Sequence, residues 1–208
     1  MKRPRDESRA SSFDQTGWMV AELEERWPVL SPHRRAHSQR VADLAVELAV
    51  RHGLAPGPAW QAGRYHDLAR EWGRPALLAE AERLGWPVDV CERAEPILLH
   101  GPVVSLWARR LGMEPDVVEA MCWHTTAAPG LKALGRIIFI ADGVEPGRRY
   151  AEAAALRDLA RRDLAQAYDA VLLATVRYLG ERGLAVHPRT QGALAERALR
   201  WTDPAPDG

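Results

Sequence analysis

The stretch that decides the fold reads LGRIIFIADGVEPGR and covers residues 134–148. Its IIFI run is ambiguous between strand and helix, but Leu134 and Ala141 extend the apolar pattern at helical spacing. We therefore predict a buried helix that ends where Glu-Pro-Gly breaks it at 145–147. Near its end this helix carries Asp142, and an unpaired carboxylate on so apolar a helix faces a steep desolvation cost. Asp142 therefore needs a cation, a metal ion or a proton as its partner.

The rest of the chain repeats the helical period. Ser31 and Pro32 are typical of a helix start, and Gly53 is typical of a helix end. No stretch alternates for long enough to indicate a strand, so the sequence predicts an all-α fold, a helical bundle of a single domain. The predicted helices cover about 18–27, 32–52, 58–70, 75–84, 102–111, 115–124, 131–144, 153–180 and 190–201.

Both ends of the sequence are polar and lack apolar periodicity. We expect residues 1–16 and 202–208 to be disordered tails, because such segments cannot bury enough apolar surface to offset the entropy of ordering. Residues 17–201 then form the one folded domain.

Composition and charge exclude several classes of partner and location. The 28 basic and 28 acidic residues give a formal net charge of zero, which argues against a nucleic-acid or anionic-membrane partner. The two cysteines lack CxxC spacing, which favours a reducing compartment over a disulfide framework. No apolar run approaches the ~20 residues of a membrane span, and no apolar segment typical of a signal peptide follows the charged start. We expect a cytoplasmic protein.

Four of the seven histidines are candidates for a site. His37 shares an apolar helix stripe with Val41 and Leu44, although a hydrogen-bonded core histidine is an alternative interpretation. His66 and Asp67 are adjacent in a predicted helix, where neighbouring side chains point about 100° apart. They can share an ion only if it lies over the ridge between them, and a chance His-Asp pair is the alternative.

The other two candidate histidines lie at helix ends. His100 precedes one predicted helix and His124 ends another, whereas we interpret the remaining histidines, His33, His52 and His187, as structural. Imidazole and carboxylate ligands suit iron, manganese or zinc without a thiolate. A helical bundle can point such residues inward from separate segments, so together they predict a metal site.

Several short motifs make the interpretation more specific. They are Arg34-X-X-His37-Ser, Gly63-X-X-His66-Asp67, Leu99-His100-Gly101, His124-Thr125 and Ala141-Asp142-Gly143-Val144-Glu145-Pro146-X-Arg148. Together they resemble the YqeK family of bacterial HD-domain phosphohydrolases. The resemblance implies an HD-domain fold. It also implies hydrolysis of symmetrical dinucleoside polyphosphates, with diadenosine tetraphosphate split into two ADP at an iron-containing site.

The resemblance assigns roles to individual residues. It implies the metal ligands His37, His66, Asp67 and Asp142, and the nucleotide-contacting residues Arg34, Arg70, His100, His124 and Arg148. The family commonly has lysine where this chain has Arg70, so the charge is kept but the geometry of the contact changes. In some HD proteins the two middle histidines bind a second metal ion. The number of iron ions, one or two, therefore remains open, and manganese or another divalent metal remains an alternative to iron.

The implied mechanism is attack by metal-activated hydroxide on an inner phosphorus atom. Asp67 would bridge two ions, and the arginines at 34, 70 and 148 would neutralise the polyphosphate, unless they belong to solvated helix faces. His100 or His124, if not a ligand, would protonate the leaving phosphate. Glu145 would fix its turn or hydrogen-bond to a metal ligand.

Other interpretations of the sequence stay open. The substrate of an HD phosphohydrolase can be another nucleotide, or the chain can be a nucleotide-sensing module without turnover. The helix predicted over 153–180 can pack within the domain or form the face of a homodimer. The partner that the resemblance implies is a small-molecule nucleotide.

Overall fold

A computed structural model describes residues 16–199, and within that range the chain is helical with no strand. The α-helices are α1 Ala21–Glu24, α2 Pro32–Arg51, α3 Pro56–Tyr65, α4 Arg74–Arg83, α5 Val90–Ala94, α6 His100–Arg110, α7 Pro115–Trp123, α8 Ala133–Val144, α9 Ala153–Arg162, α10 Leu164–Glu181 and α11 Pro188–Glu196. Short 3₁₀ helices lie at Thr16–Trp18, Trp27–Val29 and Pro96–Leu99. The predicted all-α single domain is confirmed. The tails predicted at 1–16 and 202–208 lie outside the described residues apart from Thr16, which starts a 3₁₀ helix. The predicted helix end at Trp201 also lies outside them.

Helix α8 is the centre of the bundle, as its apolar sequence predicts. Ile137, Ile138 and Ile140 are fully buried, and α8 packs against α2, α3, α7, α9 and α10. The ambiguous IIFI run is helical, and its four side chains are all buried, as in a helix that is packed on all sides. This placement puts the end of α8, with Asp142, against the other helices of the bundle, where its side chain is only partly exposed.

Helices α2 and α3 meet at a glycine. A Cβ atom on Gly63 would lie 2.6 Å from the Cα atom of Ala42 and 2.9 Å from its nitrogen. The two helix backbones are therefore in contact at this point. This contact fixes His37, on α2, relative to the residues that follow α3.

The prediction that the third helix runs to about Arg70 was wrong. Helix α3 ends at Tyr65, and His66 and Asp67 lie in the turns that follow it. There the amides bond three residues back instead of four, from Leu68 to the Tyr65 carbonyl at 3.1 Å and from Arg70 to the Asp67 carbonyl at 2.9 Å. These tighter turns replace the α-helical bonding pattern directly after His66.

The single long helix predicted over 153–180 was also wrong, because the chain breaks at Asp163. That residue is extended (φ −146°, ψ 103°), and its side chain accepts a 2.9 Å hydrogen bond from the Gln166 amide. Aspartate is a favoured N-cap residue, so it ends α9 and starts α10.

Two smaller differences concern helix starts. Helix α5 was not predicted, although Asp89 and Glu92 form a capping box at its start. Helix α6 begins at His100 rather than at 102, which places His100 in its first turn. None of the helices between residues 16 and 199 is both long and apolar enough to cross a bilayer.

Candidate metal centre

Four imidazoles and two carboxylates converge in the middle of the bundle. The five innermost side chains are each at most 4% exposed, and the Asp142 side chain is 22% exposed. They come from α2 (His37), the turns after α3 (His66 and Asp67), the first turn of α6 (His100), the residue after α7 (His124) and α8 (Asp142). The structure thus brings together every imidazole and carboxylate that the sequence proposed for the site.

Asp67 stands between two groups of ligands. Its Oδ2 lies 3.4 Å from His66 Nε2 and 3.7 Å from His37 Nε2. Its Oδ1 lies 3.2 Å from His100 Nε2 and 3.7 Å from His124 Nε2. Each carboxylate oxygen therefore faces its own pair of imidazoles.

Asp142 completes the group on the Oδ2 side. Its Oδ1 lies 3.0 Å from His37 Nε2 and 4.0 Å from His66 Nε2. This side therefore has two imidazoles and two carboxylates, and the other side has two imidazoles and the shared Asp67.

Backbone carbonyls fix the orientation of three of the rings. The Nδ1 atoms of His66 and His124 lie 2.7 Å from the carbonyls of Gly63 and Met121, and His100 Nδ1 bonds to the Ile97 carbonyl. A carbonyl only accepts, so each Nδ1 carries the hydrogen. In the neutral ring the lone pair is then on Nε2, which faces the carboxylates.

Glu145 orients the fourth ring. Its Oε1 lies 3.2 Å from His37 Nδ1, while its other oxygen accepts from Arg40 Nε at 2.5 Å and from the Gly147 amide. Burial opposes ionisation of Glu145, but these hydrogen bonds outweigh it and lower its pKa to about 2. Glu145 thus contacts both its own turn, through the Gly147 amide, and His37, which is a candidate metal ligand.

The donor atoms fit a divalent metal. His37 Nε2 and His66 Nε2 are buried without a hydrogen-bond partner, and together with an Asp142 oxygen they lie within 4.8 Å of one another. His100 Nε2 and His124 Nε2 lie 2.9 Å apart, and two facing lone pairs repel unless a cation or a proton lies near them. Nitrogen and oxygen donors of this kind suit iron, manganese or zinc.

The electrostatics of the cluster keep both carboxylates ionised. Burial opposes this, but His66, His100 and His124 lower the pKa of Asp67 well below its ordinary value. Burial likewise opposes the charge on Asp142, and its contact with His37 lowers its pKa strongly. Burial lowers the pKa of His124, which favours the neutral imidazole that a metal requires.

The three arginines expected to contact phosphate border one open cleft of about 630 Å³ over the cluster. Arg34 Nη1 lies 2.6 Å from Asp67 Oδ2. Arg148 donates to Asp142 twice, from Nη2 to Oδ1 at 2.7 Å and from Nε to the carbonyl at 2.9 Å. Arg70 lines the same cleft.

Sequence reasoning missed the far wall of this cleft. It is formed by residues of α10, among them Val171, Thr175 and Tyr178. From the sequence, this helix was expected only to pack within the domain or to form a homodimer face, because apolar helix stripes are usually buried.

The helical fold and the cluster of four histidines and two aspartates together define a class of protein. Comparison with known proteins identifies the same class. The model of the HD domain family matches residues 34–147, more than half of the chain. The chain therefore belongs to the HD domain family.

Individual relatives within the HD domain family indicate a more particular kind of protein. The chain is 31% identical over 163 residues to the symmetrical bis(5'-nucleosyl)-tetraphosphatase of Bacillus subtilis, covering 77% of this chain and 87% of that protein. It is 30% identical to the protein of the same name from Halalkalibacterium halodurans, covering 78% and 88%. These matches confirm the resemblance to the YqeK family that the motifs indicate.

A solved structure shows the same fold. It is a crystal structure of a "predicted HD superfamily hydrolase involved in NAD metabolism" from Clostridium acetobutylicum. The TM-score is 0.81 at 28% sequence identity, and the match covers 86% of this chain and 96% of the other.

Proposed function

We propose that this chain is a metal-dependent phosphohydrolase that cleaves symmetrical dinucleoside polyphosphates, splitting diadenosine tetraphosphate with water into two ADP. The observation that carries the proposal is Asp67, whose two oxygens each face a pair of imidazoles with inward lone pairs. Two relatives of about 30% identity that bear the name of this activity support the choice of substrate.

The proposed ligands divide into two sets. His37, His66, Asp142 and Asp67 Oδ2 would hold one ion, and Asp67 Oδ1 with His100 and His124 would hold a second. We propose iron as the metal, with manganese or another divalent ion as the alternative. Bound there, the metal would supply a hydroxide nucleophile near neutral pH and relieve the charge on the phosphates.

The arginines of the cleft would bind the polyphosphate. Arg34 and Arg148 lie against the two carboxylates, so their remaining N–H groups are at the place where phosphates would meet the ligands. Arg70 adds a third positive charge on the same cleft. Charge-assisted hydrogen bonds from guanidinium groups hold phosphate oxygens strongly and orient them. If only one ion binds, His100 or His124 is free to give a proton to the leaving phosphate.

A product assay tests the proposal. Protein loaded anaerobically with iron, and separately with manganese, is given diadenosine tetraphosphate, and ADP is expected as the sole product. AMP plus ATP would show asymmetric cleavage, and faster turnover of a mononucleotide would indicate a different HD phosphohydrolase. Tight binding without any product would show a nucleotide-sensing module instead.

We further propose that the chain acts in the cytoplasm on this small-molecule nucleotide, without nucleic-acid or membrane partners. The bounds of the domain at residues 17 and 201, and a homodimer, remain predictions of the sequence. Limited proteolysis would test the first, because cleavage is expected only outside that range. Light scattering with size-exclusion chromatography would test the second by giving the mass in solution.

A further inference from the structure

The cleft over the metal centre continues along one face of α10. Val171, Ala174, Thr175 and Tyr178 line it at i, i+3, i+4 and i+7 spacing, which places them on one side of the helix. Glu181 extends this stripe, and ten residues of helix rise roughly 15 Å. We call residues 171, 174, 175 and 178 the α10 wall.

The α10 wall differs chemically from the end of the cleft that holds the metal centre. Its own side chains are uncharged, and two cations lie beside it: Arg177, which pairs with Glu152 at 3.1 Å, and Arg182, which stacks on Tyr178. The arginines at 34, 70 and 148 lie around the metal centre instead. Positive charge suited to phosphates is therefore held at the carboxylates of the metal centre, whereas the α10 wall offers an apolar and aromatic surface that begins at Val171, next to Gly143.

Tyr178 is the exposed aromatic residue of the wall. Its side chain is 51% exposed, and the Arg182 guanidinium lies 4.6 Å from the ring centroid, covering one face. A tyrosine with an accessible ring in a cleft can stack on a nucleobase, since every base has a π-face.

Two further groups fit a nucleoside better than a phosphate. The carboxylates of Glu152 and Glu181 line the same part of the cleft. They would repel a phosphate, but they can accept hydrogen bonds from ribose hydroxyls or from a base amino group.

We propose that the α10 wall binds one nucleoside of the substrate, with its base stacked on Tyr178 and its phosphates directed towards the arginines and the metal centre. This inference rests on the proposed function in one respect, namely that the substrate carries a nucleoside at the end of a polyphosphate. It makes Tyr178 a residue that recognises the nucleoside rather than one that takes part in hydrolysis.

The test compares two probes on the metal-loaded protein. ADP carries a nucleoside, and inorganic tripolyphosphate carries only phosphates; the Kd of each is measured by calorimetry. Tyr178→Ala should weaken ADP ~5- to 150-fold, the range of alanine substitutions at base-stacking aromatics, and leave tripolyphosphate within twofold. Tyr178→Phe, which keeps the ring, should bind ADP like the unchanged protein.

Three other variants control the interpretation. Arg34→Ala should weaken both probes. Ala174→Leu removes no contact but fills the cleft, so it should weaken ADP alone and tests the wall independently of Tyr178. Leu184→Ala removes an exposed apolar side chain just beyond α10 and should change neither Kd.

The outcomes separate this inference from the proposed function. If ADP binding depends on Tyr178 but diadenosine tetraphosphate is not cleaved, the inference about the α10 wall is supported and the proposed activity is contradicted. If cleavage occurs but neither Tyr178→Ala nor Ala174→Leu weakens ADP, the nucleoside lies elsewhere and the inference is overturned. Equal weakening of both probes by Tyr178→Ala would overturn it as well, because a stacking residue acts on the base alone.

Discussion

Asp67 is the residue on which both halves of the metal centre depend, because each of its oxygens faces a different pair of imidazoles. Asp67→Asn keeps the shape but removes the charge that both sets of ligands share. We expect bound metal to be lost and hydrolysis to fall by about three orders of magnitude or more, since metal-derived charge stabilisation accounts for several kcal/mol. Elemental analysis and a turnover assay measure this, and an unchanged circular dichroism spectrum serves as the folding control. Full turnover in this variant would contradict the proposed mechanism.

A substitution of Glu145 tests whether a residue outside the proposed ligand set affects the affinity for the metal. It holds His37 Nδ1 while being held itself by Arg40, so Glu145→Gln weakens the anchoring of one ligand. Loss of such a partner typically reduces metal affinity ~10- to 100-fold. Metal titration measures the change, and Glu47→Gln is the matched control because Glu47 also pairs with an arginine, Arg161, but away from the cluster. If both variants bind the metal with equal affinity, Glu145 only stabilises its own turn.

At the scale of elements, the contact of α2 with α3 sets the distance between His37 and His66. Gly63→Ala would place a methyl group against the Ala42 backbone, so the helices must separate. We expect a loss of about 1–3 kcal/mol in the free energy of unfolding, or a Tm lower by about 2–12 °C. Thermal unfolding measures it. Gly73→Ala, whose Cβ would meet no atom closer than 4.0 Å, should change Tm little, and equal shifts would rule out the close approach as the cause.

The elements also show what sequence patterns can and cannot predict. The helix around 131–144 was predictable because its apolar residues fit a period of 3.6. The break at Asp163 was not predictable, because a polar residue also fits the outer face of an amphipathic helix. Only the hydrogen bond that Asp163 accepts from the Gln166 amide distinguishes a helix cap from such an outer-face residue.

The site was predictable only in part for a similar reason. Motifs supplied the candidate ligands, but the division of the two Asp67 oxygens between pairs of histidines involves the turns after α3, which the sequence pattern predicted to be helix. The α10 wall was missed because the spacing of a stripe does not say whether the stripe faces the core or a cleft.

At the scale of the whole molecule, the metal centre joins five segments that are distant in the sequence. A ligand that binds only the folded chain stabilises it by RT ln(1 + [L]/Kd), and the unfolded chain does not hold these donors together. Manganese at about 100 times its Kd should therefore add about 2.7 kcal/mol to the free energy of unfolding and raise Tm by roughly 5–11 °C. Differential scanning fluorimetry with and without the metal measures this rise, and Asp67→Asn should abolish it.

The rise in Tm should depend on pH in a defined direction. Burial opposes protonation of His66, but its attraction to Asp67 and Asp142 outweighs this and raises its pKa. In the metal-free protein, a raised pKa means that the protonated ring contributes stability below the ordinary imidazole pKa, and that this contribution is lost as pH rises through the folded value. A metal must displace that proton, so its stabilising effect should be large at pH 8 and shrink towards pH 5. A rise in Tm that is equal at both pH values, with the metal concentration held at the same multiple of the Kd measured at pH 8, would show that the metal binds away from these imidazoles.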